Sequence, residues 1–579
     1  MQIIALKNGE NDVLKNLLII YIIKYSIVGR LQLNLDCFVP RNDKKKTSMS
    51  TNIPITSTGL IPAITKDYLE QKDVLKPFYK YAPNIDSFGE AIKNKHFSAE
   101  NRNVLVDALL NQYKNAGIEL GDKDATYLNT LSLKNANTFT VTTGHQLALF
   151  TGPLYFIYKI ATVINLAKQL KEKYPQQNFV PVFWMASEDH DFEEISSIYL
   201  FGKEIKWQKE TNSKPVGQID NTGIEALIEQ LIPILGERDK AKKWIKLLQE
   251  SFLGSNNFSI GTQKLVHELF KNQGLVIIDA DDKALKTLLK QTMFNDIFEQ
   301  KSFEAIQESN KALSQHYKLQ INGREINFFY LHPEFGRRLI KPEGNHFRLN
   351  DTDVVFTAEE LKTEVEYYPE HFSPNVVLRP VYQELILPNL AYIGGPAEVA
   401  YWLQLQQVFE AHQVPFPVVM QRNSYLLLGK STKDKTEKMG LTIDDMFLND
   451  SDLTDKYLQK HSATSFIENA NQIDVLLQQM FDEVKNIDPI SGKELLQIKL
   501  ETKKVLMANF KTYKKAREQK QEDNIVKMLK LKERIFPNGT FQERLENVMM
   551  HDINMFDDLI EKVLQNADAF SNDLIVLEV

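Results

Sequence analysis

Two short polar clusters contain the residue types that acid–base and phosphate chemistry require. The first is Gly-His-Gln at residues 144–146, and the second is Glu-Asp-His-Asp at residues 188–191. A histidine titrates near neutral pH and donates hydrogen bonds to oxyanions, while carboxylates bind ammonium groups or take protons from them. The predicted catalytic residues are His145, Asp189, His190 and Asp191.

Each cluster also has a structural interpretation. The residues at 144–146 equally suit a tight turn with a packed histidine, and both interpretations stay open there. The acids at 188–191 would serve as helix caps, because aspartate is a good N-cap. Four such residues exceed what a cap requires, so we favour a functional cluster that binds an ammonium group or removes its proton.

The turn at residues 151–153 is expected to open the helix that follows the first cluster. Thr151 is predicted to cap the free N–H groups, and Pro153 suits the first helical position, where its missing donor costs nothing. Free N–H groups at a helix start attract phosphate. The sequence therefore predicts an anion-binding helix start beside the histidine.

A second glycine turn, at residues 394–396 with Glu398 behind it, either binds a phosphate or sugar or is a plain connection. Arg337, Arg338 and Arg379 carry a group that binds carboxylate or phosphate, but most arginines lie on the surface, so a surface position is the favoured interpretation and only Arg379 is kept as a candidate. The predicted substrate- or nucleotide-binding residues are Gly144, Gln146, Thr151, Gly152, Pro153, Tyr155, Glu188, Arg379, Gly394, Gly395 and Glu398.

A parallel sheet is needed to bring these residues together. Buried apolar runs begin near residues 138, 179, 274, 390 and 416, with helical patterns between them. This alternation predicts an α/β fold with a Rossmann-like doubly wound parallel sheet, in which ligands bind outside the carboxyl ends of the strands. The core is predicted to span residues 49–440, with insertions near 196–270 and 283–385.

The pattern changes in residues 441–536. Apolar residues recur at steps of three or four from Ala463 to Ile487, and a second such run extends from Leu495 to Tyr513 after a break at Pro489. This spacing predicts an antiparallel helical hairpin with a coiled-coil seam. Residues 537–579 are expected to form a C-terminal helix that returns to the core.

The composition limits the possible functions. The 579 residues carry a formal net charge of −7, so no basic field suggests nucleic-acid binding, and we find no zinc-type spacing that predicts a metal site. The first 48 residues hold eight Lys or Arg against four acids, and their apolar run at 17–23 is too short to span a membrane. We expect Met49 to be the true start, which an intact mass would test. Without residues 1–48, a mis-assigned or disordered extension containing Cys37, the chain has no cysteine, and the cytoplasm is its expected location.

Four segments together resemble one known family: GHQLALFTGPLYFIYK, VPVFWMASEDHDFEEI, GGPAEVAYW and PNGTFQER. From about Thr58 to the C-terminus, the chain resembles the BshC family, the cysteine-adding enzymes of bacillithiol biosynthesis. The resemblance implies a core like those of class I aminoacyl-tRNA synthetases and cytidylyltransferases, and a coiled coil that forms a homodimer. It implies a ligase that joins the carboxyl group of L-cysteine to the amine of glucosaminyl-malate.

The resemblance also bears on the site. Residues 144–146 are similar to a degenerate HIGH motif, and no KMSKS sequence follows the last strand. ATP or another nucleotide is the expected cosubstrate, with Gln542, Glu543 and Arg544 as candidates for a second nucleotide site. A non-catalytic dimeric nucleotide-binding or scaffold protein is the alternative, whereas the acidic charge and the missing motif disfavour a tRNA synthetase.

Overall fold

The computed structural model describes residues 52–461, 466–555 and 558–579, so the expected start at Met49 and the extension 1–48 lie outside the described residues. The strands in chain order are β1 Ile53–Pro54, β2 Thr138–Gln146, β3 Asn178–Ala186, β4 Ser197–Leu200, β5 Lys203–Lys206, β6 Val276–Asp279, β7 Phe328–His332, β8 Gly336–Glu343, β9 His346–Leu349, β10 Val355–Thr357, β11 Phe372–Pro374, β12 Asn389–Gly394, β13 Val418–Gln421, β14 Ser424–Leu428 and β15 Asp573–Glu578.

The helices in chain order are α1 Ala63–Leu69, α2 Ser87–Asn94, α3 Ala99–Asn115, α4 Ala125–Ser132, α5 Tyr155–Lys173, α6 Phe192–Ile195, α7 Ile224–Leu235, α8 Asp239–Phe252, α9 Phe258–Phe270, α10 Lys283–Thr287, α11 Lys290–Ile297, α12 Lys301–Leu313, α13 Ala358–Tyr367, α14 Arg379–Ile386, α15 Pro396–Trp402, α16 Gln406–Ala411, α17 Lys430–Lys438, α18 Asp450–His461, α19 Phe466–Val484, α20 Pro489–Lys520, α21 Glu522–Glu533, α22 Val548–Asp552 and α23 Leu559–Asn566. None of these helices is long and apolar enough to cross a membrane.

Five parallel strands form the central sheet in the order β13-β12-β2-β3-β6. The chain builds outward from β2 to β6 and then returns to the other side of β2, so the strand order reverses between β2 and β12. Helices cover both faces with buried apolar side chains. The predicted doubly wound parallel sheet is confirmed, and its topological switch point, where such sheets bind ligands, lies between β2 and β12.

Pro181 lies inside β3 rather than at its start, although proline donates no hydrogen bond to a ladder. Its partner on β2 is Val141, while the pairing of β3 with β6 begins only at Val182. At Pro181 the strand therefore has a neighbour on one side alone, which explains why a proline is tolerated.

Two groups of elements interrupt the alternation of core strands and helices. The hairpin β4–β5 and helices α7 to α9 lie between β3 and β6, and an antiparallel sheet of order β10-β9-β8-β7-β11 lies between β6 and β12. Strands β7 and β8 of this sheet pair as an antiparallel hairpin. The strand β11 leads directly towards α14, so this second insertion ends beside the central sheet.

The helices α19 and α20 form the predicted antiparallel hairpin. Phe466 packs against Phe510 and Tyr513 at ring-centroid distances of 5.5 and 5.9 Å. The predicted seam is wrong at Met480 and Ile487 in the first arm, which are 45% and 86% exposed, and in its second arm, where Ile498 is 43% exposed. Lys499 points inward instead, with its Nζ 2.6 Å from Gln478 Oε1, because this arm steps by four residues rather than three at that point. The seam position Ala463 lies outside the described residues.

The last residues of the chain pack against the core. Helix α23 lies along α5, where Asn165 Nδ2 donates to the Leu564 carbonyl at 2.9 Å. Strand β15 lies between β1 and β14. The C-terminal part of the chain therefore reaches the helix that follows β2.

Candidate functional site

A cavity of about 580 Å³ opens at the carboxyl ends of the core strands, at the switch point between β2 and β12. Its wall combines the ends of β2, β3 and β12, the start of α5 and α15, the second insertion and the segment that precedes α22. Nine predicted site residues line it: Gly144, His145, Gln146, Tyr155, Glu188, Asp189, Arg379, Gly395 and Glu398.

The remaining predicted site residues do not line the cavity: Thr151, Gly152, Pro153, His190, Asp191 and Gly394. Asp191 is the N-cap of α6, with its Oδ1 accepting from the Glu194 N–H at 3.2 Å. The structural interpretation therefore holds for this acid. His190 accepts a hydrogen bond at Nδ1 from Arg337 Nη1 at 3.2 Å, so it supports the wall from behind.

The predicted helix start at residues 151–153 is wrong. Helix α5 begins at Tyr155, its N-cap is Leu154, and no side chain caps it. Three successive residues before it, Phe150, Thr151 and Gly152, have φ angles of 46°, 75° and 60°. Two of these are non-glycine residues in the left-handed region, a strained arrangement that neighbouring structure must hold in place.

The C-terminal segment supplies that support. Asn547 is fully buried, and its Nδ2 donates to the carbonyls of Phe150 and Gly152 at 3.0 and 2.7 Å. The Glu546 carbonyl accepts from the Leu154 N–H at 2.8 Å. The turn is thus a docking point for the C-terminal segment rather than an anion site, and a contact nearly 400 residues distant had no local signal.

His145 is held as a neutral ring. Its Nδ1 lies 2.7 Å from the Gln146 carbonyl and its Nε2 lies 3.1 Å from the Tyr155 hydroxyl. A carbonyl only accepts, so Nδ1 carries the proton. Burial and the nearby charge of Lys159 lower the pKa of His145 to about 4. At neutral pH its Nε2 is an acceptor, and the predicted donation to an oxyanion is not available in this arrangement.

Asp189 is a fixed carboxylate. Gln146 Nε2 donates to its Oδ2 at 2.6 Å, and its Oδ1 accepts from the His190 N–H at 2.8 Å and from Arg337 Nη1 at 3.3 Å. Burial raises the pKa of Asp189, but the hydrogen bonds from His190 and Gln146 and the charge of Arg337 outweigh it and hold the pKa well below its usual range. Asp189 therefore suits binding of a cation and not the acceptance of a proton.

Arg337 fastens the second insertion to this wall. Its guanidinium lies 3.8 Å from the centroid of the Phe329 ring, and Nε and Nη2 donate to Ser373 Oγ and the Pro374 carbonyl, each at 3.1 Å. All these partners come from β7 and β11, whereas Asp189 follows β3. The ion pair therefore joins the insertion to the central sheet.

Glu188 and Glu398 face the cavity but are already paired. Glu188 lies 2.7 Å from the buried Lys286 ammonium. Glu398 lies 2.6 Å from Lys159, whose Nζ also donates to the Gly144 carbonyl at 2.6 Å. The backbone N–H of Gly395 donates to Glu398 at 2.6 Å. The second glycine turn therefore binds its own glutamate, which leaves this N–H unavailable to a phosphate.

Arg379 is a half-buried cation of this wall without a carboxylate partner in the described part of the chain. Its Nη1 donates to Gln383 Oε1 at 3.3 Å, and its guanidinium lies 5.7 and 5.2 Å from the Trp184 and Tyr392 ring centroids. Its Nη2 is buried and has no hydrogen-bond partner among the described residues. A buried guanidinium nitrogen that lacks an acceptor in a cavity wall indicates an anion site.

Several lining residues escape the sequence prediction: Lys159, Trp184, Glu194, Asn322, Arg324, Phe329 and Arg422. Arg337, which was set aside as a surface residue, and Arg544, a candidate for a second nucleotide site, also line the cavity. Lys159 had a signal, because it interrupts the apolar face of α5 one turn after Tyr155. Arg422 directly follows β13 and could be found by the same edge argument. Arg324 and Phe329 come from the second insertion, whose approach to the sheet no local pattern indicates.

Glu194 differs from the other acids of the site. Partial burial and the nearby charges of Asp191 and Asp189 raise the pKa of Glu194, although the residue is exposed to solvent. No cation lies within 4 Å of its carboxylate among the residues that the structure covers.

The described residues contain no group of three or more His, Cys, Asp or Glu that could hold a metal ion.

Comparison with known proteins identifies the family. The family model described as Bacillithiol biosynthesis BshC, N-terminal Rossmann-like domain, matches residues 49–423, and the corresponding C-terminal coiled-coil domain matches residues 425–579. A protein named "Putative cysteine ligase BshC" from Flavobacterium johnsoniae is 38% identical over 89% of this chain and 96% of its own length. A protein of the same name from Christiangramia forsetii is 37% identical over 91% of this chain and 99% of its own length.

Among solved structures, a chain from Campylobacter jejuni titled "putative arginyl t-RNA synthetase" covers 73% of this chain at 13% identity. Its TM-score of 0.17 is too low to carry an argument. The family models and the relatives, by contrast, extend over both the core and the hairpin region. The chain belongs to the BshC family of bacillithiol biosynthesis proteins.

Proposed function

We propose that this chain is a ligase that joins the carboxyl carbon of L-cysteine to the amine nitrogen of glucosaminyl-malate. Family membership and the names of the relatives support cysteine as a substrate. The observation that carries the proposal is that one cavity contains two fixed charges of opposite sign. Arg379 offers an unpartnered guanidinium nitrogen, and Asp189 offers a permanent carboxylate.

These two charges suit the proposed substrates. The carboxylates of the malate group match the guanidinium of Arg379, since guanidinium and carboxylate form strong charge-assisted hydrogen bonds. The ammonium group of cysteine matches Asp189, whose charge persists at neutral pH. With both reactants bound, the reacting carbon and nitrogen are held in one cavity, which removes most of the entropic cost of bringing them together.

Formation of the amide requires a neutral amine and an activated carboxyl group. The C–N bond forms as the group that activates the carboxyl carbon leaves, and the amine nitrogen loses a proton. Glu194 is the proposed acceptor of that proton, because its raised pKa makes it a better base than Asp189. This assignment moves the base from the predicted acids at 188–191 to the next turn of the chain.

A nucleoside triphosphate such as ATP is the proposed activating cosubstrate. The cavity suits a polyanion, because Arg324, Arg379 and Arg544 line it without an ion-paired carboxylate among the described residues. A bound triphosphate would supply the phosphate that converts the cysteine carboxylate into a better acyl donor. We keep the cytoplasm as the proposed location.

A homodimer through the α19–α20 hairpin is part of the proposal. Large apolar side chains on this hairpin are exposed in the single chain: Val475, Leu476, Met480, Leu496, Ile498, Leu500, Val505 and Met507. A hairpin of two helices has only one inner seam, so a second copy would cover these outward residues. Exposed apolar surface of this kind is typical of interaction sites.

The thiol profile of a strain that lacks this protein tests the proposal. We expect glucosaminyl-malate to accumulate and bacillithiol to disappear, and the wild-type gene to restore both levels. A gene encoding Arg379→Gln should fail to restore them, whereas the control Arg348→Gln, at a half-buried arginine of β9 that does not line the cavity, should succeed, with equal protein amounts verified by immunoblot. An unchanged thiol pool in the deletion strain would refute the ligase and support the non-catalytic scaffold.

A further inference from the structure

His145 and Tyr155 form one corner of the cavity, and neither residue offers a cation to a ligand. The unprotonated Nε2 of His145 accepts, and the Tyr155 hydroxyl donates to it. Lys159, one turn further along α5, is paired with Glu398. Arg422 lies 5.4 Å from the Tyr155 ring centroid, but both of its terminal nitrogens bind Glu543. The charges of Lys159 and Arg422 are therefore already paired with carboxylates.

Arg544 reaches the same corner from the C-terminal segment. It lines the cavity, and its charge acts against the burial and the Glu398 charge that raise the pKa of Tyr155 to about 12. The residue is exposed, and its guanidinium has no hydrogen bond or ion pair within the described ranges. The cationic group is therefore available to a ligand.

The backbone that carries Arg544 is held rigidly. On one side, Glu543 accepts hydrogen bonds from Arg422 Nη1 and Nη2 at 3.0 and 2.6 Å in a buried pair. Beside it, Gln542 binds both backbone groups of Leu427 on β14, at 2.9 and 3.2 Å. Because the backbone is already fixed, only the Arg544 side chain has to be ordered when a ligand binds, which favours a ligand contact.

We propose that Arg544 binds the polyphosphate oxygens of the activating cosubstrate, a role that the sequence had suggested for His145. The C-terminal segment is then a component of the active site. The inference rests on the proposed function. A planar guanidinium binds phosphate oxygens in a bidentate manner. Arg544 lies at the exposed rim, where a highly charged polyphosphate stays partly hydrated, whereas the enclosed Arg379 suits a carboxylate.

Binding of inorganic pyrophosphate and of L-malate to the full chain, measured by calorimetry, tests the inference without requiring turnover. Arg544→Gln should weaken pyrophosphate binding by about tenfold to a hundredfold and leave malate binding within about twofold. Arg544→Lys should retain part of the affinity, because it keeps the charge and loses the bidentate geometry. Arg379→Gln should weaken malate binding instead, and Arg348→Gln should change neither.

Unchanged pyrophosphate binding in Arg544→Gln, or wild-type protein that fails to bind pyrophosphate, would overturn the inference. Equal loss of both probes in Arg544→Gln would also overturn it, since that result indicates a general disturbance of the cavity. Normal probe selectivity in a protein that forms no ligation product would leave this inference standing and refute the proposed function. Thermal melts of all four variants verify that each is folded.

Discussion

Asp189 and Glu194 both line the cavity, yet their surroundings move their pKa values in opposite directions. Asp189 is surrounded by donors and by the Arg337 charge, so it remains an anion. Glu194 is close to other acids and has no ion-paired cation in the described structure, so its carboxylate holds a proton more readily. Residue type alone therefore does not assign the roles of the acids, and the local environment does.

Glu194→Gln is expected to lower kcat by about 10²- to 10³-fold, because it removes the proposed base. In the wild type, kcat should fall as the pH falls through the raised pKa of Glu194, since the basic form is lost there. The variant should lack this acidic limb. Steady-state rates between pH 5 and 9 measure both effects, with the exposed Glu193→Gln as the matched control. A variant with wild-type kcat and the same pH profile would contradict the assignment.

His145 is expected to remain neutral, with the proton on Nδ1, down to about pH 5, because burial and Lys159 lower its pKa to about 4. NMR of protein labelled with ¹⁵N-histidine measures the tautomer and the titration midpoint directly. Assignment comes from the spectrum of His145→Gln. A midpoint near the ordinary value of about 6.5, or a proton on Nε2, would show that this ring is a donor after all.

At the scale of single residues, prediction from sequence worked where a side chain follows a core strand. Residues 144–146 and Asp189 lie in the cavity because the carboxyl ends of parallel strands meet at one edge. Prediction from sequence failed to place Thr151 and Asp191, because the contacts that each residue makes in the fold determine where it lies and what it does. Whether the predicted catalytic residues act in catalysis stays a prediction.

Among the elements, the turn before α5 has the most constrained backbone. Gly152 has φ of 60°, and a Cβ there would lie 2.6 Å from the Ala148 Cβ. Gly59 has a similar φ of 72°, but a Cβ there would have no atom within 4 Å. Alanine substitutions at the two glycines therefore distinguish the free-energy cost of a left-handed backbone from the free-energy cost of a steric clash.

Gly152→Ala is expected to lower the free energy of unfolding by about 2–5 kcal/mol, because left-handed backbone and overpacking both contribute. Gly59→Ala should cost only about 1–2 kcal/mol, from conformation alone. Urea denaturation followed by circular dichroism measures both variants. Equal losses in the two would show that the close approach to Ala148 is relieved easily, contrary to the structure.

The hairpin supplies the second prediction at this scale. Leu476→Lys combined with Val505→Lys should convert a dimer into a monomer, because charged side chains on the outward face of α19 and α20 would be desolvated in the interface. Size-exclusion chromatography with light scattering measures the mass, and the exposed polar change Gln497→Lys is the control. A wild-type monomer at micromolar concentration, or a dimer that survives the double change, would refute the proposed interface.

Helices and strands were predictable because each carries its own periodicity. The hairpin of α19 and α20 and the five core strands follow from apolar spacing. The register of α20 was not predictable, because Lys499 lies in the seam only through its hydrogen bond to a residue of the opposite helix. The cap of α5 was missed for the same reason, since its neighbours lie in the C-terminal segment.

For the whole molecule, the cavity is assembled from three distant parts of the chain. The central sheet supplies the β2 and β3 ends, the second insertion supplies Arg337 and Phe329, and the C-terminal segment supplies Arg544. The fold class and the approximate positions of the core strands could be predicted from the sequence. The convergence of insertion and C-terminal segment could not, because long-range contacts such as Arg422 with Glu543 leave no local pattern.

The formation of the amide by the purified full-length chain tests the central claim most directly. The reaction contains L-cysteine, glucosaminyl-malate and a mixture of the four common ribonucleoside triphosphates, and mass spectrometry follows the product, whose mass equals the two reactants less one water. We predict product with the wild type and with Arg348→Gln, and a rate at least about 10²-fold lower with Arg379→Gln. Folded wild-type protein that forms no product, or Arg379→Gln protein that works at the wild-type rate, would contradict the account.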